Sequence, residues 1–174
     1  MTAPGYSPQP SSISETSESS RAWHAPTTDS PVHASVAVPG SKSLTNRKLV
    51  LAALADGPST LVGPLHSDDS ARMIDALRAL GVEIEELPAS TPFGPDLRIT
   101  PPSRFRGDVV IDCGQAGTVM RFIAPLAGLA VGDVTITAHE SALHRPMGAM
   151  IKALREIGVD IDDGGSWALP FTVK

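Results

Sequence analysis

Two stretches of this chain read alike. Met73-Ile74-Asp75-Ala76-Leu77-Arg78-Ala79-Leu80-Gly81-Val82-Glu83-Ile84-Glu85-Glu86 returns as Met150-Ile151-Lys152-Ala153-Leu154-Arg155-Glu156-Ile157-Gly158-Val159-Asp160-Ile161-Asp162-Asp163. Met, Ile, Ala, Leu, Arg, Gly, Val and Ile recur in register, and nearly every other position keeps its polar or apolar character, so both stretches call for one local structure. In the first, Met73, Ile74, Leu77 and Leu80 fall on one helical face. Gly81 then ends the helix where a positive φ is needed, and Val82-Glu83-Ile84 alternates as a half-exposed strand. The second copy uses Met150, Ile151, Leu154, Ile157 and Gly158 in the same places.

The likeness extends upstream. Gly40 to Arg47, entering a helix, is matched by Gly114 to Arg121, which enters the apolar helix around Phe122 to Leu129. Val32 to Val38 alternates valine with small or polar residues as a strand before the first turn. Later strands are expected at Ser59 to Leu65, Asp133 to Ala138, Leu97 to Thr100 and Ala168 to Val173. The unit reads βαβαββ, and each helix has a single apolar stripe to bury, so the expected class is α/β (α+β) with helices packed on one face of mixed sheets. The expected boundaries are 32–107 for the first unit and 108–174 for the second, with Pro and Gly from Pro101 to Gly107 at the junction. Residues 1–31, rich in Ser, Thr and Pro and nearly free of aliphatic side chains, are expected to form a disordered tail, apart from the single Trp23. This tail has no apolar segment of the kind that a signal peptide needs, and Glu15 and Glu18 against one arginine argue against a transit peptide.

Composition narrows the partners. Among 174 residues there is no run of about 18 apolar ones, which argues against a membrane partner. The formal net charge of -5, without a lysine and arginine cluster, argues against nucleic acid. Cys113, the single cysteine, leaves no internal disulfide and no cysteine-based metal framework, and a reducing cytoplasm is the expected setting.

Candidate chemistry lies in Pro39-Gly40-Ser41-Lys42-Ser43-Leu44-Thr45-Asn46-Arg47. Unpaired N–H groups and the positive dipole end at a helix start favour an anion by about 0.3 to 2 kcal/mol, and Lys42 and Arg47 add formal charge. The plainer alternative is that Ser41 or Ser43 merely caps the helix. Because the units repeat, the Gly40 and Gly114 turns are expected at equivalent ends of neighbouring units, so that two helix starts converge on one anionic ligand.

Other chemistries fit less well. No Gly-x-x-x-x-Gly-Lys-Ser/Thr of a nucleotide-binding P-loop is present. His139 and His144 are five apart instead of the four a helical zinc motif requires, so no metal site is expected, and surface loop histidines are. Asp68-Asp69 is expected to open a helix and Asp162-Asp163 to end a strand in solvent, without catalysis. Cys113 is expected to be a small buried thiol. A non-catalytic repeat module that binds an anionic metabolite, or only another protein, stays open on these grounds.

The chain resembles the enolpyruvyl transferases over Val32 to Lys174, in particular the branch acting on shikimate 3-phosphate. The resemblance rests on Pro-Gly-Ser-Lys-Ser-x-Thr-Asn-Arg at 39 to 47, Leu-Ala-Ala-Leu-Ala at 51 to 55, Ala-Gly-Thr-x-Met-Arg at 116 to 121 and Arg-Pro-Met-Gly at 145 to 148. It implies a two-domain fold with three βαβαββ units per domain, a monomer, no cofactor, and transfer of the enolpyruvyl group of phosphoenolpyruvate to the 5-hydroxyl of shikimate 3-phosphate with release of phosphate. By the same resemblance Lys42, Ser43 and Arg47 match positions that bind shikimate 3-phosphate. Lys42, which also faces phosphoenolpyruvate, is the catalytic candidate. Gly117 matches a glycine that lets phosphoenolpyruvate approach the backbone, and Arg145 an arginine that grips it. The family supplies its proton-transferring carboxylates from later units, so a chain of two units is expected to be a fragment that does not turn over alone. The sister enzymes acting on a UDP-sugar carry Asn after the lysine and a reactive cysteine before the later Arg-Pro. Here Ser43 follows Lys42, and residues 139–144 hold no cysteine. Gln115 and Phe122 stand where many members have Asn and Pro, and Phe122 is expected in the core.

Overall fold

The computed structural model describes Ala25, Thr27 and residues 30–174. The tail expected over residues 1–31, Trp23 included, lies almost wholly outside the described residues. The chain divides into residues 1–36 and 37–174, and the described residues of the first unit carry no helix or strand. The second runs α1 (Lys42–Ala53), β1 (Ser59–Leu61), α2 (Asp68–Ala79), β2 (Glu83–Thr91), β3 (Gly94–Thr100), β4 (Phe105–Arg106), β5 (Val109–Asp112), α3 (Gly117–Ala127), β6 (Ala130–Val131), β7 (Val134–Thr137), α4 (Glu140–Leu143), α5 (Gly148–Glu156), β8 (Ile161–Asp162) and β9 (Phe171–Val173).

Three strands pair antiparallel in the order β1-β3-β2, and four form a mixed sheet in the order β5-β7-β9-β8, with β5 and β7 parallel. β4 and β6 make a small parallel pair that the sequence pattern does not announce. Register places Ile111 beside Ile136 and Ile136 beside Phe171, all three nearly inaccessible to solvent. α2 packs on β2 of one sheet and β5 of the other, while α1, α2 and α3 pack on each other. One apolar core therefore serves both sheets. Each large side chain sealed into it, such as Leu77, Met120 or Phe171, contributes about 1.5 to 3 kcal/mol.

The repeated residues earn their recurrence at the helix ends. After α2 the Val82 amide donates to the Leu77 carbonyl at 3.0 Å and Gly81 to Arg78 at 2.9 Å; after α5, Val159 donates to Leu154 and Gly158 to Arg155, both at 3.0 Å. These are paired six-to-one and five-to-two bonds closing a helix through a left-handed residue, and the two glycines have φ of 94° and 95°. The repeated arginine has the same task in both copies: Arg78 Nη2 donates to the Ile84 carbonyl, and Arg155 Nη2 to that of Ile161, each at 2.7 Å. It ties the last helical turn to the strand that follows.

Three expectations need correction. Residues 32–38 form no strand, and Val32, Val36 and Val38 are 73%, 76% and 72% exposed. Alternation gives a segment strand propensity, but a strand exists only where a sheet edge receives its N–H and C=O groups, and no pairing includes these residues. Ile157 is 77% exposed although its counterpart Leu80 is fully buried. Leu80 lies beneath the connection to the second repeat, where Arg106 donates to the Leu80 and Ala79 carbonyls, and no described segment covers Ile157 in this way. Ile74 and Met150 pack only at the rim of the core.

Asp163 is the third. It is buried, and its carboxylate accepts from Arg155 Nη2 at 2.9 Å and from the Gly165 and Trp167 amides at 3.0 Å each. The Arg155 hydrogen bond, helped by the two amides and the arginine charge, holds the carboxyl below its ordinary range despite burial. A folded value below the unfolded one stabilises the fold at pH above the unfolded value, and this stabilisation is lost as pH falls through the folded value. Urea unfolding at pH 5, 4 and 3 is expected to show stability falling on this acid limb, and Asp163→Asn is expected to be less stable at pH 5 but to lose less between pH 5 and 3. An equal loss in both chains would remove Asp163 from the account.

Candidate anion-binding site

Ser41 caps α1, its hydroxyl accepting from the Leu44 amide at 3.4 Å. The plainer reading of Ser41 is therefore correct as far as it goes. The turn before it is clamped: Thr45, buried, accepts the Leu65 amide on Oγ1 at 2.9 Å, and the Gly63 amide donates to Asp96 at 2.8 Å. A Cβ on Gly40 would lie 2.6 Å from the Gly63 carbonyl oxygen. Glycine is required there by the close approach of two backbones, and this approach fixes where Lys42 starts.

α3 opens differently. Ala116 precedes Gly117 with no side chain capping the helix, so the first amides have no side-chain acceptor from that residue. A Cβ on Gly117 would meet Arg145 Nη1 at 3.1 Å and Arg121 Nη1 at 3.2 Å, so two guanidinium groups lie over the bare start of this helix. Arg145, just after α4, donates to the Gln115 carbonyl at 2.6 Å. Arg121 donates to the Gly117 carbonyl at 3.0 Å and to that of Pro146 at 3.2 Å. The two arginines cross-brace the loop before α3 and the loop before α5.

Lys42, Arg47, Gly117 and Arg145 line one open cavity of about 690 Å³, together with Asp69, Gln115, Thr118, Arg121 and Phe122. Lys42 and Gly117, the first residues of α1 and α3, both line it, whereas the Gly40 and Ser41 turn before α1 opens on a separate small cavity. Ser43 does not line this cavity; it is exposed on α1, where its carbonyl accepts from Arg47 Nη1 at 2.9 Å. Four cations thus face the cavity with Asp69 as the single carboxylate among its lining residues. Phe122 packs at the rim of the core, half-buried instead of sealed inside, with Arg47 stacked 5.4 Å from its ring centroid, and a flat ring at the wall gives the guanidinium a face to rest on.

Arg121 and Asp69 also line this cavity, and motif reading passed over both. The signal for Arg121 was available, because the repeat sets it opposite Arg47, and both arginines bond back to the carbonyl four residues earlier. Asp69 gave none. It lies in the first turn of α2, as expected for a helix-opening acid, yet its carboxylate is 3.1 Å from Lys42 Nζ.

Neighbouring candidates are quiet. Cys113 is fully buried, and burial, reinforced by Asp112, pushes its thiol up to about 12, which keeps it protonated and inert near neutral pH. His139 caps the short α4 through Nδ1 and the exposed His144 ends it, so both act at helix ends.

A family model described as EPSP synthase (3-phosphoshikimate 1-carboxyvinyltransferase) matches residues 26–174. The chain is 55% identical over 155 residues to a 3-phosphoshikimate 1-carboxyvinyltransferase of Kocuria rhizophila, covering 87% of this chain and 35% of that protein. It is 44% identical over 156 residues to the protein of that name from Mycobacterium ulcerans, covering 87% and 34%. Among solved structures, an EPSP synthase of Acinetobacter baumannii superposes with a TM-score of 0.69 at 26% identity, over 80% of this chain and 31% of that one. The chain spans about a third of the length of these curated relatives.

Proposed function

Because this chain belongs to the EPSP synthase family, we propose that its cavity is the part of an enolpyruvyl transferase site that holds phosphoenolpyruvate and the phosphate of shikimate 3-phosphate. The observation that carries this reading is that Lys42, Arg47, Arg121 and Arg145 line one cavity, with Arg121 and Arg145 over the uncapped start of α3. Phosphoenolpyruvate offers a carboxylate and a phosphate, and guanidinium groups meet such planar or tetrahedral oxyanions with paired, charge-assisted hydrogen bonds. Arg145 and Arg121 grip it beside Gly117, where a hydrogen in place of a side chain leaves room. Arg47 and Lys42 take the second substrate, with Lys42 between the two ligands and Ser43, outside the cavity, left without a part.

The reaction served is the transfer of the enolpyruvyl group to the 5-hydroxyl of shikimate 3-phosphate with release of phosphate, in the shikimate pathway. The protein supplies positioning and charge neutralisation. Moving protons at the methylene and hydroxyl needs a free acid or base, and the single carboxylate lining the cavity, Asp69, is engaged with Lys42. The 174 residues alone therefore bind without turning over. The same reading makes the protein cytoplasmic and monomeric, without nucleic acid or membrane partners; among the described residues no helix is long and apolar enough to cross a membrane.

Titrating the chain with phosphoenolpyruvate, by calorimetry and amide chemical shifts, tests this. The expected Kd is on the order of 1 mM, about -4 kcal/mol, with shifts at Gly117 and Thr118 and no release of phosphate when shikimate 3-phosphate is added. Absence of heat and shifts up to saturating ligand would leave a protein-interaction module as the better reading, and enzyme-level phosphate release would overturn the claim that the chain only binds.

A further inference from the structure

We propose that Asp69 is a positioning residue of this site: its carboxylate holds the Lys42 ammonium over the cavity, so that Lys42 meets an anion from one fixed place. The inference rests on the cavity being an anion site as argued above.

The other cations at the cavity are held by neutral groups. Arg47 is fixed by the Ser43 carbonyl and the Phe122 ring, Arg121 by the carbonyls of Gly117 and Pro146, and Arg145 by the Gln115 carbonyl. Lys42 is held by formal charge, 3.1 Å from Asp69. A lysine side chain has four flexible carbons and a point charge, so without a tether a ligand must order it on binding and loses affinity accordingly.

Asp69 is free for this task because α2 is capped without it. Ser67 and Ser70 close a reciprocal capping box at the helix start, which leaves the Asp69 side chain to turn toward α1. Its side chain is 25% exposed and that of Lys42 52%, so the pair is open enough for an arriving anion to share the ammonium, and too open to contribute much to folding. With one carboxylate against four cations, the cavity keeps an excess of positive charge after this pairing.

Positioning and simple charge make opposite predictions. Removing a negative charge strengthens attraction for any anion, whereas releasing Lys42 weakens an anion that needs Lys42 in one place. Asp69→Asn is expected to weaken phosphoenolpyruvate binding about 5- to 10-fold while leaving inorganic phosphate, a compact ion without a second group to align, bound as well or better. Asp69→Glu should recover part of the loss, and in a Lys42→Ala background the Asn change should cost nothing further. Thermal unfolding of Asp69→Asn is expected to match the parent chain. Should Asp69→Asn bind phosphoenolpyruvate as the parent does, or tighter, the positioning role is wrong. Equal weakening of both ligands with a lower melting temperature would likewise overturn it in favour of a structural role. If the parent chain itself shows no binding, the reading of the cavity fails and takes this inference with it; a binding parent with an unaffected variant removes the inference alone.

Discussion

Gly40→Ala is expected to lose phosphoenolpyruvate binding beyond detection and to melt below the parent chain. The added Cβ would lie 2.6 Å from the Gly63 carbonyl oxygen, 3.2 Å from the Leu65 nitrogen and 3.4 Å from the Pro64 carbonyl carbon. All three are backbone atoms, so no side chain can swing away. Nor can the segment drift freely, because Asp96 holds Gly63 and Thr45 holds Leu65. The turn itself must back off, and overpacking of this kind costs about 1 to 3 kcal/mol. Ser41 and Lys42 begin α1 at that turn, so the displacement carries through to the ammonium, where a misplacement of about 1 Å is enough to cost on the order of 100-fold. Melting and a phosphoenolpyruvate titration on the same samples check both halves. Parent-like affinity in Gly40→Ala would mean that the close approach at Gly63 does not set the position of Lys42.

The second large effect is expected at Arg145. Arg145→Ala removes a guanidinium from above the start of α3 and with it the bond to the Gln115 carbonyl. Hydrogen bonds to charged groups contribute about 1.5 to 3 kcal/mol, which corresponds to about 10- to 100-fold in Kd for phosphoenolpyruvate. Arg145→Lys is expected to recover less than half of that free energy. An ammonium donates from one point and cannot hold Gln115 and an oxyanion in the fork geometry of a guanidinium. Lys152→Ala serves as the control, since Lys152 makes only an exposed ion pair within α5 and should leave both affinity and melting unchanged. A loss shared equally by Arg145→Ala and Lys152→Ala would reduce the effect to net charge.

Much of the architecture was legible because it is encoded by near neighbours. The repeat announced two helices with the same ending, and Gly81 and Gly158 deliver it with almost the same φ. The recurring arginine was visible as a letter but not as a bond, because its acceptor carbonyl depends on where the next strand lies. The second copy departs from the first where local chemistry differs: Gly164 and Gly165 adopt positive φ and end β8 at Asp162, whereas β2 runs on to Thr91. Residues 32–38 alternate as a strand does yet form none, because no sheet edge receives them.

The candidate site divides in the same way. The repeat alone set Lys42, Arg47 and Gly117 in two equivalent turns, the family resemblance added Arg145, and these four line one cavity. Chain order said nothing of Ser43 pointing elsewhere, of Arg47 resting on Phe122, or of Asp69 reaching Lys42.

From its letters, then, the protein's helices, their ends, its doubled plan and its store of cations could be read, because each depends on residues within a turn or two of one another. Which cation is tethered, which is braced and which acid joins them was settled only when burial of a common core brought α1, α2 and α3 side by side. The physical reason is that hydrophobic burial is indifferent to sequence distance, so the partners of an exposed polar group are chosen by whatever the core happens to place beside it.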